Sequence, residues 1–346
     1  LDIGTQSRVT VDQFYGLEID PSAAHIAQVA MWITDHQLNL ITAERFGDKP
    51  RPSIPLVKSA HICQCNALRT DWDEVLAPGE CSFIVGNPPF VGYSNQSKEQ
   101  KADLALVYGN AKGVGVLDYV AAWYLQAARY MQANPAVRTA FVSTNSLFQG
   151  EQVAALWSLL LPLSARIHFA HRTFKWSNEG KGVAAVHCVI VGFALCDPTA
   201  PVRVFDYAQN IAGDGVESSA SRLNPYLVEG PDLLIDKRRK PLQASVPEVV
   251  FGSMPNDGGH LLLSEDEAAQ IRATDAIAAR YIRSFLGADE FINNIPRYCL
   301  WLADATSADK AQSPVLRQRI AAVRQLRSQS TRASTQLLAQ TPHLFG

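Results

Sequence analysis

The apolar run Cys81-Ser82-Phe83-Ile84-Val85-Gly86 stops at Asn87-Pro88-Pro89-Phe90. The run reads as a short buried strand. Two successive prolines end it, because each fixes φ and removes an N–H donor. An Asn, two prolines and an aromatic ring thus follow the carboxyl end of a strand, where open α/β sheets bind ligands. The rigidity also has a chemical reading. The Asn87 amide oxygen and the Pro88 carbonyl become fixed acceptors able to face one point, with Phe90 as a flat ring behind Pro89. Two acceptors and a stacking face suit an exocyclic amine on a planar heterocycle. A plain loop breaker has the same composition, so the neighbouring sequence has to discriminate.

Upstream, Gln13 to Asp20 (QFYGLEID) reads as a strand ending in acids, and Pro21 opens a helix at its first turn. Ala23, Ala24, Ile26, Ala27, Ala30, Met31, Ile33 and Leu38 give that helix an apolar face. A strand that ends in Glu and turns into a helix is the second half of a nucleotide-binding βαβ unit, whose acid accepts from ribose hydroxyls. Glu18 fits that role, or is an ordinary strand-end acid, and Asp20 is placed to cap the helix. Phe46 to Lys58 is a proline-containing loop, and Ser59 to Leu68 (SAHICQCNAL) is a strand ending at Asn66.

Downstream, Tyr93 to Gly115 is polar, with one helix near Lys98 to Tyr108 that is either a lid or a surface excursion. Leu117 to Gln132 is a strong helix whose aromatic stripe belongs to the core. Val137 to Ser143 is a strand, and Glu151 to Leu161 a helix stopped by Pro162. Arg166 to His171 and Ala184 to Leu195 are strands separated by Phe174-Lys175-Trp176 and a Gly/Lys-rich turn, an antiparallel pair. Strands alternating with helices make residues 1–208 one α/β domain. Residues 209–230, rich in Gly and Ser, read as a linker, and residues 231–346 as a second region. That region carries Lys237-Arg238-Arg239-Lys240 and a helix over Ser313 to Arg332 with Arg317, Arg319, Arg324 and Arg327. Ser264 and Glu267 fit a capping box for a helix over Glu265 to Arg280, and Phe291 to Leu302 reads as a strand pair or an extended segment.

The net charge of −2 means that any nucleic-acid contact comes from local patches. The six cysteines lie mostly in strand-like runs, as buried free thiols do, and Cys63-Gln64-Cys65 lacks a second pair at zinc spacing. His168 and His171 read as ordinary strand and loop residues, so no metal site is expected. A reduced, cytoplasmic setting is expected, with no run approaching the ~18 residues of a membrane span. The chain starts at Leu1 without an initiator Met and close to a strand, so it is expected to be a piece of a longer polypeptide.

VDQFYGLEID, CNALRTDW, FIVGNPPFVGY and the FKW-turn-VHCVIVGF pair, in that order, resemble S-adenosylmethionine-dependent N6-adenine DNA methyltransferases. The likeness is to those fused with restriction functions in one chain. It spans residues 1–208, and the later residues by position only. The resemblance implies a Rossmann-like methyltransferase sheet with helices on both faces and a C-terminal hairpin, followed by part of a target-recognition domain. It implies S-adenosylmethionine as cofactor, duplex DNA as partner, no membrane, and a nuclease domain elsewhere in the same longer polypeptide. Glu18 would bind the donor's ribose. Asn66 would contact its adenine, where the family more often has Asp. Asn87 and Pro88 would accept from the target N6 amine. Phe90 would stack on the flipped base, with Phe174 or Trp176 on its other face. Phosphate contacts would fall to Lys237, Arg238, Arg239, Lys240, Arg317, Arg319 and Arg324.

One departure stands out. The family's glycine-rich first motif, which cradles the donor's methionine part, has no counterpart in residues 1–12. A piece ending there is expected to bind S-adenosylmethionine poorly and to be inactive alone. Two other readings share the tetrapeptide: a protein glutamine N5-methyltransferase and a non-catalytic DNA-recognition fragment.

Overall fold

A computed structural model describes residues 8–46, 58–176, 186–207, 211, 213–238, 240–248 and 252–346. The chain forms two compact units, Leu1–Arg238 and Arg239–Gly346. The first residues, most of the loop after Phe46, the hairpin turn and Arg239 lie outside the described residues, as does the Trp176 side chain.

The first unit opens with β1 (Tyr15–Glu18), α1 (Pro21–Phe46) and β2 (His61–Gln64). The strands run parallel with Glu18 opposite Gln64, the pairing that a helical crossover permits. The short helix α2 (Trp72–Val75) precedes β3 (Phe83–Gly86). Then come α3 (Lys98–Tyr108), α4 (Ala121–Tyr130), β4 (Arg138–Thr144) and α5 (Glu151–Leu160). The unit closes with β5 (Arg166–Trp176), β6 (Val186–Ala194), β7 (Val202–Asp206) and β8 (Val216–Ala220). A six-stranded sheet has the order β3-β4-β6-β5-β7-β8, and β1-β2 is a separate pair. The expected hairpin is β5–β6, longer than the sequence suggests because β5 runs on through Phe174 to Trp176.

The core lies where α4 and α5 pack on the sheet. Tyr124 of α4 stacks on Phe193 with centroids 5.6 Å apart and meets Phe141 edge-on at 5.2 Å. Its hydroxyl is satisfied by Ser143 Oγ at 2.9 Å, as a buried phenol requires. The aromatic stripe is thus core, as expected. α3 is anchored too: Asp103, Leu104, Val107 and Tyr108 are buried. It belongs to the body of the unit and is neither a lid nor a surface excursion.

Residues 209–230 are not a linker. Residues 216–220 are β8, the sheet's edge strand, antiparallel to β7. Leu223 and Leu227 are buried in the same core. The Val-Glu-Ser-Ser-Ala sequence hides this strand because four of its five residues are exposed, as polar edge strands are. Arg203 on β7 holds it through Glu217 at 2.6 Å. At the other end of the sheet β3 has no partner on its outer side among the described residues, and Phe83 and Val85 are 73% and 77% exposed. β1 likewise has one unpaired side among the described residues. The apolar face expected of α1 is largely uncovered, with Ile26, Ile33 and Leu38 exposed.

The second unit has β9 (Leu262–Leu263), α6 (Glu265–Thr274), α7 (Ala276–Ala279), β10 (Ile282–Ser284), α8 (Ala288–Asn293) and β11 (Tyr298–Leu300). α9 (Ser307–Gln312), α10 (Pro314–Ser328) and α11 (Ala333–Leu337) follow. Its antiparallel sheet has the order β10-β11-β9. The Ser264–Glu267 capping box forms as expected. The helix over 265–280 is broken at Asp275, whose carboxylate caps α7 through Ile277 and Ala278 and accepts from Ser313 Oγ at 2.6 Å. A side chain that satisfies a new helix start competes with continuing the old one. Only the second half of Phe291 to Leu302 is strand; its first residues end α8. Of the six free cysteines, Cys188 and Cys299 are buried, while Cys196 is exposed.

Candidate active site

Asn87 leaves β3 at the sheet's carboxyl edge. β3 runs parallel to β4 with Gly86 opposite Phe141, so Asn87 emerges level with Val142, two residues before the end of β4. A side chain at Gly86 would press on the Phe141 ring at 3.4 Å, so the backbone passes close to the core there. Asn87 is exposed, and neither its amide nor the Pro88 carbonyl makes a hydrogen bond among the described residues. Phe90 is half-buried and packed against the core. An exposed amide and the carbonyl of a buried proline, neither engaged among the described residues, therefore sit on a rigid turn beside an anchored ring.

The segment that leaves the tetrapeptide is clasped by residues 117–119. Tyr119 donates its backbone N–H to the Val91 carbonyl at 2.9 Å, and Gln96 Nε2 donates to the Leu117 carbonyl at 3.0 Å. Asp118 is buried beside Gly92, where it accepts from Thr144 Oγ1 at 2.9 Å and Gln152 Nε2 at 3.2 Å. The clasp thus joins the exit of β3 to the end of β4 and the start of α5.

The hairpin rises at the same edge. Thr144 pairs with Cys188, and Cys188 with Phe174. With β4 and β6 between them, β3 and β5 lie three strand spacings apart, about 14 Å. The Phe174 ring packs on Tyr207 with centroids 5.2 Å apart.

On β1, the two terminal acids divide as their positions suggest. Asp20 Oδ1 accepts the Ala23 N–H at 2.8 Å and caps α1. Glu18 Oε1 accepts only the Asp20 N–H at 2.9 Å, and its other oxygen has no partner among the described residues.

Asn66 is engaged more fully. Its Oδ1 accepts the Leu68 N–H at 2.9 Å, and its Nδ2 donates to Asp103 Oδ2 at 3.1 Å. Asp103 also accepts from Arg69 Nε at 2.5 Å and Tyr119 Oη at 2.6 Å. Burial pushes this carboxyl up, but the hydrogen bonds from Tyr119, Arg69 and Asn66 outweigh it and hold the group below its ordinary value. The Asn66 turn and the tetrapeptide's exit therefore meet at one buried charge. The sequence signal for Asp103 is an acid inside the otherwise apolar stretch Ala102 to Tyr108, which a buried helix face tolerates only with partners.

The basic candidates divide as well. In the first unit Lys237 and Arg238 are exposed, with Lys237 3.6 Å from Glu151. In the second, Lys240 is exposed, and Arg317 and Arg324 project from α10 two turns apart. Arg319 instead binds Glu267 at 2.8 Å and the His260 carbonyl at 3.0 Å. Arg327, on the same helix, is wholly buried and donates to the carbonyls of Pro255, Asn256, Leu338, Thr341 and Leu344. Among the described residues no group of His, Cys, Asp and Glu could hold a metal ion, and no helix is long and apolar enough to cross a membrane.

Comparison with known proteins identifies the family of the chain. Residues 2–206 match the family model "MmeI, DNA-methyltransferase domain", and residues 229–346 match "MmeI, target recognition domain". The chain is 39% identical to DNA methyltransferase A of Bacillus subtilis (strain 168), covering 97% of this chain and 38% of that protein. It is 46% identical to the Type IIL restriction-modification enzyme MmeI, solved in complex with DNA, with a TM-score of 0.81 over 100% of this chain and 46% of that one. The chain thus spans less than half the length of these relatives. It belongs to the MmeI-type DNA methyltransferases, carrying that family's methyltransferase domain followed by its target recognition domain.

Proposed function

We propose that this chain carries the catalytic half of an enzyme that methylates N6 of an adenine flipped out of a specific duplex sequence. The observation that carries the reading is the exposed Asn87 amide and the unengaged Pro88 carbonyl on a rigid turn beside the anchored Phe90 ring. They take the two amine hydrogens, which turns the nitrogen lone pair out of conjugation with the ring. They also stabilise the positive charge that develops on nitrogen as it attacks, and positioning with preorganised charge supplies most of the rate. Phe90 stacks on one face of the base, a contact worth about 1–3 kcal/mol, and Phe174 or Trp176 closes the other. S-adenosylmethionine, when bound, would supply a sulfonium methyl: the C–S bond breaks as the N–C bond forms, S-adenosylhomocysteine leaves as a neutral thioether, and the nitrogen sheds one proton to solvent. Glu18 holds its ribose, and the Asn66 turn meets its adenine.

The donor half needs one more strand. Among the described residues β1 and β3 each have an unpaired side, with Phe83 and Val85 uncovered, which suits a further parallel strand bearing a glycine-rich turn. This chain alone then binds the donor weakly, and a calorimetric titration showing tight binding would refute that. In the recognition region Lys240, Arg317 and Arg324 contact phosphate; in the first unit Lys237 and Arg238 do. A relative named as a DNA methyltransferase and a restriction-modification enzyme solved in complex with DNA support duplex DNA as partner. The match to a target recognition domain weighs against a protein glutamine as substrate. The test is methyl transfer by the full-length protein to duplex DNA, followed by nucleoside analysis. N6-methyladenine is expected. A methylated cytosine, or methylated protein alone, would overturn the reading.

A further inference from the structure

The buried carboxylate of Asp103 joins two halves of the site that sequence alone keeps apart. Three donors converge on it: Asn66 Nδ2 at 3.1 Å, Arg69 Nε at 2.5 Å and Tyr119 Oη at 2.6 Å. Tyr119 in turn holds the Val91 carbonyl at 2.9 Å. A chain of contacts therefore runs from the turn after β2, through Asp103 of α3 and then the side chain and backbone N–H of Tyr119, to the residue following Phe90.

The path also fixes the direction of an amide. A free Asn side chain can present either end. Here the ionised Asp103 can only accept, so Nδ2 turns inward and Oδ1 outward, where the Leu68 N–H uses one of its lone pairs. An Asp at position 66 would instead set two carboxylates in contact, which disfavours both charges. The chain thus keeps the negative charge one layer back and puts an amide in front of it.

We propose that Asp103 is a positioning residue of the donor site, orienting the Asn66 amide and, through Tyr119, setting that amide in register with the Asn87–Phe90 tetrapeptide. The proposal rests on the methyltransferase reading above. Asp103 touches neither donor nor base in this scheme; it holds the groups that do.

Exchange of the pair in the full-length protein is the test, read as KM for S-adenosylmethionine, kcat, and Kd for the target duplex. Asn66→Asp raises the donor KM roughly tenfold or more, as coupled buried groups do when one is changed alone. The exchange Asn66→Asp with Asp103→Asn restores a donor–acceptor contact with its direction reversed, and the KM returns most of the way to wild type. Tyr119→Phe, which removes a single oxygen, raises the donor KM without changing the duplex Kd. A folded exchange variant no better than Asn66→Asp would overturn the proposal, and so would a Tyr119→Phe enzyme with wild-type donor KM. A wild-type protein that transfers no methyl group to DNA would instead overturn the methyltransferase reading, and this proposal with it.

Discussion

Glu18 accepts the backbone N–H of Asp20 at 2.9 Å, while the Asp20 carboxylate turns back to the Ala23 N–H at 2.8 Å. Two acids on one strand end thus have separate work. Glu18→Ala in the full-length protein raises the Kd for S-adenosylmethionine by about 10- to 100-fold, the range of one or two hydrogen bonds to a charged group. Asp20→Ala lowers stability by about 1 kcal/mol through the lost cap and leaves donor affinity within about threefold. Isothermal titration and denaturant unfolding of both variants check the division.

α10 has arginines of two kinds. Arg317→Ala and Arg324→Ala each weaken duplex binding modestly and lower the slope of log K against log salt by about 1, as the loss of one phosphate contact does. Binding isotherms across a salt series measure this.

Arg327→Met acts differently. It leaves the carbonyls of Pro255, Asn256, Leu338, Thr341 and Leu344 without their buried donor. The recognition unit loses roughly 3 kcal/mol or more, and limited proteolysis of the full chain cuts residues 252–346 faster than wild type.

Asp309 gives the second unit a pH dependence. Hydrogen bonds from the Thr306 hydroxyl, then from Tyr281 and Arg280, hold its carboxyl down at about 2. A carboxylate whose folded pKa lies below its unfolded value of about 4 stabilises the fold fully above that value. The contribution is lost as pH falls from about 4 towards 2. The stability gap between wild type and Asp309→Asn is therefore constant above pH 5 and closes as the pH is lowered, by denaturant midpoints at each pH.

Much of this was legible in the sequence because rigid local chemistry announces itself. Asn87-Pro88-Pro89 can end a strand in few ways, Asp20 before Pro21 is placed to cap, and the Tyr124 face repeats at helical spacing. What stayed hidden depends on partners distant in sequence. Asp103 gains its meaning from Asn66 and Tyr119, 37 and 16 residues away. β8 carries no apolar alternation, since its pairing with β7 is made by backbone. Arg319 and Arg327 look like phosphate ligands until the carbonyls and the Glu267 carboxylate they bind are folded around them. Asp275 reads as a helix residue and acts as the cap of the next helix.

Asn87→Ala in the full-length protein tests the central claim most directly, by single-turnover methylation of a duplex carrying the target site with donor and DNA affinities measured alongside. Removing the preorganised acceptor is expected to slow methyl transfer by about 10²-fold or more while duplex affinity stays within a few-fold of wild type. Methyl transfer by Asn87→Ala at the wild-type rate would contradict the assignment of the tetrapeptide as the catalytic centre.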